Sequence, residues 1–238
     1  MRNYLIINGK NSREIHGLII QEFAPISKPK KRIETTEIDG RDGDVVDELG
    51  YSAYDKEVSI GLHGDFNIDE VIEYFNTSGE VIFSNEQGKV YRFGIYEQID
   101  FERLVRYRTA EVTFHVQPFK HSSDEPLLEW TNSGTDTMAE IKVDNIGNVI
   151  ARPYITMEAS GHLVIDVDNV TKLKADLPEL MKVIIDCEEM NAVNEEGRYL
   201  NRYFIGDYKS LYVPMGEHSI KVGGDVTSLS IKHYIRWI

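Results

Sequence analysis

Three kinds of residue in this 238-residue chain could do chemistry: carboxylates gathered in a glycine-bearing turn, scattered histidines and one cysteine. The turn Asp39-Gly40-Arg41-Asp42-Gly43-Asp44 places three carboxylates within six residues, the nearest approach to a calcium loop. It fails the EF-hand pattern, because the third position is Arg41, the fifth is Gly43 and no glutamate falls at the twelfth. A loop tip between two strands is the plainer expectation. The histidines, at 16, 63, 115, 121, 162, 218 and 233, form no i, i+3 or i, i+4 pair that would make a helical metal site. They are expected on strand surfaces, with His233 in the core. Cys187 follows the run Val183-Ile184-Ile185-Asp186 without a basic neighbour, which favours a buried, inert thiol over a nucleophile. No HExxH helix, phosphate loop, GxSxG elbow or CxxC pair occurs. Sequence does not exclude a carboxylate dyad among 40 Asp and Glu, but nothing positive supports one. The expectation is a protein that is not an enzyme and carries no cofactor or metal.

The elements that would position these residues have a period of two. Tyr54, Val58, Ile60 and Leu62 share one parity against Asp55, Glu57, Ser59 and His63. Ala110, Val112, Phe114 and Val116 repeat the pattern, as do Leu229, Ile231, His233, Ile235 and Trp237. One segment differs: Ile68, Val71, Ile72 and Phe75 fall at i, i+3, i+4 and i+7, the stripe of an amphipathic helix. Asn67 is placed to cap it, Glu70 follows three residues on, and Gly79 lies beyond its end. Val81 to Phe83 and Val90 to Phe93 then read as a hairpin around Ser84 to Lys89, with Gly88 supplying a positive φ. Composition changes after Pro118, with unpatterned polar stretches at 121–126 and 131–137. A boundary near 120–135 divides the chain into 1–125, strands with one helix and a hairpin, and 126–238, short strands with the size and pattern of a β-sandwich.

Charge narrows the function further. The chain has 26 Lys and Arg against 40 Asp and Glu, a formal charge of −14 and a pI near 4.9. A generic binder of the nucleic-acid backbone needs a basic surface, so that class is excluded. No stretch approaches the ~18 apolar residues of a membrane span, and the opening Met1 to Asn11 has too short an apolar run for a signal peptide. With a single cysteine the expectation is a soluble, unexported protein made in a reducing cytoplasm. Against the overall charge stands one basic island, Lys28-Pro29-Lys30-Lys31-Arg32. Two readings remain open: a solvated guard on an edge strand, or a surface that meets an acidic patch on a neighbouring copy, as a head-to-tail ring requires.

The order of these features resembles the siphophage distal tail protein (Dit) or phage tail component family. The resemblance runs through Leu5-Ile6-Ile7-Asn8-Gly9, Gly17-Leu18 and Ile38-Asp39-Gly40-Arg41-Asp42-Gly43, then the helix and hairpin, to Val112-Thr113-Phe114 and Gln117-Pro118-Phe119. It continues in Asn145-Ile146-Gly147-Asn148, Ala151-Arg152-Pro153, Ser160-Gly161, Ile184-Ile185-Asp186, Gly197, Leu211 and Arg236-Trp237. The family's proline-glycine-x-asparagine turn is replaced by Val213-Pro214-Met215-Gly216-Glu217-His218. The resemblance implies a mainly β chain, with an N-terminal ring-forming domain and a C-terminal galectin-like sandwich that projects as a docking platform. It further implies a hexameric ring at a virion tail tip, assembled in the bacterial host cytoplasm. That ring would join the tail tube protein to baseplate or fibre proteins and let DNA pass. Under that reading the candidate oligomer interface is Lys28, Lys30, Lys31, Arg32, Asp39, Arg41 and Asp42. A carbohydrate- or receptor-binding baseplate module is the competing class, although no sugar-binding His-Asn-Arg with Trp-Gly-x-Glu pattern is present.

Overall fold

The computed structural model describes residues 2–134, 136–232 and 234–238; His233, expected in the core, lies outside the described residues. The chain is mainly β and divides into two compact units between Ser123 and Asp124. Each has its own hydrophobic core. Among the described residues no helix is long and apolar enough to cross a membrane.

The first unit runs β1 (Leu5–Ile7), β2 (Lys10–Asn11), β3 (Leu18–Phe23), β4 (Lys31–Glu37), β5 (Asp44–Tyr51) and β6 (Tyr54–Leu62). It continues through α1 (Ile68–Phe75), β7 (Ser78–Phe83), β8 (Lys89–Gly94), α2 (Phe101–Tyr107) and β9 (Thr109–Ser122). Its main sheet follows the order β2-β1-β7-β8-β9-β6-β3. Period-two alternation decides which face is buried: Val58 and Ile60 of β6 lie inward beside Ala110, Val112, Phe114 and Val116 of β9. The Phe114 ring meets Phe83 at 5.5 Å and Phe93 at 5.2 Å between centroids. Helix α1 covers this core with Val71, Tyr74 and Phe75. Its N-cap is Asn67, whose side chain accepts from the backbone N–H groups of Asp69 and Glu70.

Two features depart from the sequence reading. Gly79 does not stop α1, which ends at the cap Asn76; it sits inside β7 with φ +138°. The first unit also has a second helix, α2, where one was expected. It is capped by Asp100, whose carboxylate accepts from Arg103 N–H at 2.8 Å, and only Leu104 is buried. Phe101, Leu104 and Val105 fall at i, i+3 and i+4, but a stripe of three residues in a seven-residue helix is too short to read.

The second unit runs β10 (Leu128–Thr131), β11 (Met138–Asn145), β12 (Tyr154–Val167), β13 (Val170–Asp186), β14 (Asn191–Asn194), β15 (Phe204–Gly206) and β16 (Gly216–Lys232). Strands β16, β12 and β13 are neighbours along their length. β10 and β14 flank one half of them, and β11 and β15 flank the other. Register breaks at Ala159/Gly161 on the β13 side and at Ser160/Val164 on the β16 side separate the halves. Bulges of this kind bend a strand. Here they let Ile155 and Met157 of one half share a sandwich core with Leu163, Ile165, Ile220 and Val222 of the other.

Candidate functional site

Among the described residues no group of three His, Cys, Asp or Glu side chains is placed to hold a metal ion. Cys187 is fully buried, and burial pushes its thiol pKa up, so it remains an unreactive thiol. Three histidines each sit against an aspartate: His115 with Asp55 at 2.7 Å, His162 with Asp176 at 2.9 Å and His218 with Asp168 at 2.6 Å. The His218 ring also meets the Met215 carbonyl through Nε2 at 3.3 Å, while Asp168 accepts from Ser219 N–H at 3.0 Å. These contacts pin the β12–β13 turn to the start of β16. None of these three histidines is paired with a hydroxyl or thiol nucleophile of the kind acyl transfer needs.

The feature that departs from an ordinary domain surface is the β4–β5 ribbon. It forms a two-stranded sheet of its own, hydrogen-bonded to no third strand among the described residues. Every residue of β4 after Lys31 is exposed. About half the surface of Ile33, Ile38, Val46 and Leu49 is open to solvent. A lone two-stranded hairpin is marginal in water, and this one gains little stability from burying its apolar side chains.

The seven candidate interface residues all belong to this arm or its root, but the structure does not bring them together. Lys28, Lys30, Lys31 and Arg32 lie at the root. Asp39, Arg41 and Asp42 lie in the tip turn, where Gly40 and Gly43 take φ of +81° and +77°. Five residues of strand, Ile33 to Glu37, separate the two groups, about 17 Å at the usual rise. Two of the root cations are already engaged. The Lys31 ammonium pairs with Glu48 across the ribbon, which raises its pKa, and the Arg32 guanidinium donates to the Leu49 carbonyl at 3.0 Å. Lys28 and Lys30 are exposed and make no ion pair or side-chain hydrogen bond with the described residues.

The remainder of the arm is acidic. From Ile33 to Glu48 it carries Glu34, Glu37, Asp39, Asp42, Asp44, Asp47 and Glu48 against Arg41 alone. The register sets like charges directly opposite one another, Glu34 against Asp47 and Glu37 against Asp44. Such cross-strand pairs destabilise a ribbon. The sequence reading missed both this self-repulsion and the exposed Ile33, Val46 and Leu49. The available signal was a β4 segment, Lys31 to Glu37, with a single apolar residue and hence no face to bury.

The architecture has known counterparts. The chain is similar in fold to a phage Dit protein. That protein, from phage SPP1, is described as a paradigm of the hub adsorption apparatus in phages infecting Gram-positive bacteria. The likeness has a TM-score of 0.65 at 16% identity and covers 98% of this chain and 99% of that one. A chain of the phage P2 baseplate, solved in its activated conformation with calcium, is similar at a TM-score of 0.50 and 8% identity, covering 100% and 98%. No family model matches the sequence, and no curated protein matches it. At these identities the likeness establishes the fold of both units in one chain.

Proposed function

We propose that this chain is a structural hub of a long, non-contractile phage tail tip, not an enzyme. In this role the first unit closes a ring, hexameric by the family resemblance. The second unit, residues 126–238 in the sequence division, serves as the platform for baseplate or fibre proteins. The tail tube protein stacks on the ring, DNA transits its channel, and the ring is assembled in the host cytoplasm before it reaches the virion. The observation that carries the reading is the fold likeness to a Dit hub protein over essentially the whole of both chains.

The arm supports it physically. A head-to-tail ring needs two different, complementary patches on each copy. The arm provides a projecting surface with a basic root, at Lys28, Lys30, Lys31 and Arg32, and an acidic body and tip that include Asp39 and Asp42. Native mass measurement of the full chain, alone and with its tail tube and baseplate partners, tests the proposal. The expected result is a closed oligomer of defined copy number. Reversing Lys30, Lys31 and Arg32 to Glu should weaken that oligomer and reduce its salt sensitivity. A strict monomer at high concentration and in the presence of its partners would overturn the reading.

A further inference from the structure

The acidic body of the arm is complementary in charge to one face of helix α2. Arg103, Arg106 and Tyr107 fall at i, i+3 and i+4, and therefore share one face of the helix. Leu104 is fully buried and anchors the helix to the first unit. The outward side chains line a shallow groove of about 300 Å³ together with Asp100 and Glu102. Tyr107 is 72% exposed. Arg106 pairs with Glu102 at 2.6 Å along the helix surface, a contact worth little in water. The Arg103 guanidinium makes no hydrogen bond or ion pair with the described residues. Exposed arginine and tyrosine together are what protein interfaces concentrate at their energetic centres.

We infer that the Arg103–Arg106–Tyr107 face of α2 is the socket for the acidic β4–β5 arm of an adjacent copy of this chain. The inference rests on the ring reading and names the partner surface within it. Charge is the argument for the occupant. Arg103 and Arg106 put two guanidiniums on one exposed helix face, Arg106 held only by a surface pair with Glu102, and the arm carries seven carboxylates against one arginine between Ile33 and Glu48. Glu34 and Asp47 lie directly opposite each other on one face of the ribbon. Two guanidiniums one helical turn apart would neutralise that repelling pair, and the planar guanidinium fork suits carboxylates. Tyr107 offers apolar area to Val45, which lies on the same ribbon face as Glu34 and Asp47. Arm and α2 are different patches of one unit, so the contact is heterologous and able to close a ring.

Charge exchange in the full chain tests this, read by native mass and sedimentation, with circular dichroism to check that each variant folds. R103E/R106E alone should weaken association about tenfold or more, as should E34R/D47R alone. Combining the four substitutions should restore association. A photo-crosslinking residue at Tyr107 in the otherwise unaltered chain should form adducts with residues 33–48 of another copy. If the wild-type chain associates and R103E/R106E associates equally well, the α2 socket is wrong while the ring stands. Crosslinks from Tyr107 only to other segments have the same meaning. A wild-type chain that stays monomeric with its tail partners overturns both.

Discussion

At the scale of single residues, the most consequential group in the first unit is a buried carboxylate between two ammonium groups. Glu86 accepts from Lys120 Nζ at 2.7 Å and from Lys56 Nζ at 3.3 Å, and the Tyr91 hydroxyl donates to the same carboxylate. Lys56 and Lys120 are only 2% and 5% exposed. The Lys56 ammonium is flanked by the Phe83 and Tyr91 rings at 5.2 and 5.1 Å. Burial pushes the Glu86 carboxyl up, but the bonds from Lys120 and Tyr91 and the two cations outweigh it and hold its pKa below the usual range. Burial pulls Lys56 down, and Lys89 beside the group is lowered to about 8 by burial and by Lys120. Glu86→Gln would leave two buried ammoniums without a counter-charge, and breaking such a group costs about 3 to 5 kcal/mol. The sign with pH follows from the depressed pKa. The Glu86 contribution is present above the unfolded carboxylate range and is lost as pH falls through the folded value. Urea unfolding should therefore separate wild type from Glu86→Gln widely at pH 7 and much less in acid; equal stability at pH 7 would remove the cluster from the account. The clue was already in the alternation: Lys56 and Lys120 fall on the inward parities of β6 and β9, where a lysine needs a buried partner.

At the scale of elements, what was legible followed from local period and what was not depended on distant pairing. Strands β6, β9 and β16 and helix α1 are visible in the sequence because each buries one face, and the alternation or stripe records which. Helix α2 has a stripe of only Phe101, Leu104 and Val105, too short to record a face in the sequence. The continuous passage of β12, β13 and β16 through bulges depends on pairings made across the sandwich, and Pro178, within β13, lies opposite one of the register breaks. The interface candidates were legible as charges around a hairpin tip, but that root and tip stand at opposite ends of a ribbon with no third strand among the described residues is visible only in the structure. Gly79 gives a testable case of a local signal with a non-local cause. Its backbone takes φ +138°, and a Cβ there would stand 2.2 Å from the Asn8 Oδ1 atom. That oxygen accepts from Glu80 N–H at 2.9 Å, and the Asn8 amide donates to the Ser78 carbonyl at 3.0 Å, joining the β1–β2 turn to β7. Gly79→Ala should cost about 1 to 3 kcal/mol through backbone strain. In the Asn8→Ala background the collision disappears and the φ penalty stays, so part of the loss should persist in denaturant unfolding of the double variant. Full recovery there would assign the requirement to the clash alone.

At the scale of the whole molecule, the −14 charge is unevenly spent, with seven of the 40 carboxylates on one sixteen-residue arm that exposes both faces. Summed fields of this kind act over a Debye length of about 8 Å at physiological salt and further when salt is low. A ring built from such chains would present a like-charged wall to the DNA backbone, which suits passage without adhesion. The basic pieces do not overturn that balance. The root island is short and partly tied to Glu48 and the Leu49 carbonyl, and the α2 arginines are committed to the arm in the proposed ring. Backbone binding by counterion release would need several free cations along one track. The assembled oligomer should therefore fail to retard duplex DNA in gel mobility assays even at ~20 mM salt, where any electrostatic attraction is strongest. Retention of DNA under those conditions, lost on adding salt, would mean that the cations face the channel and that the acidic arm does not.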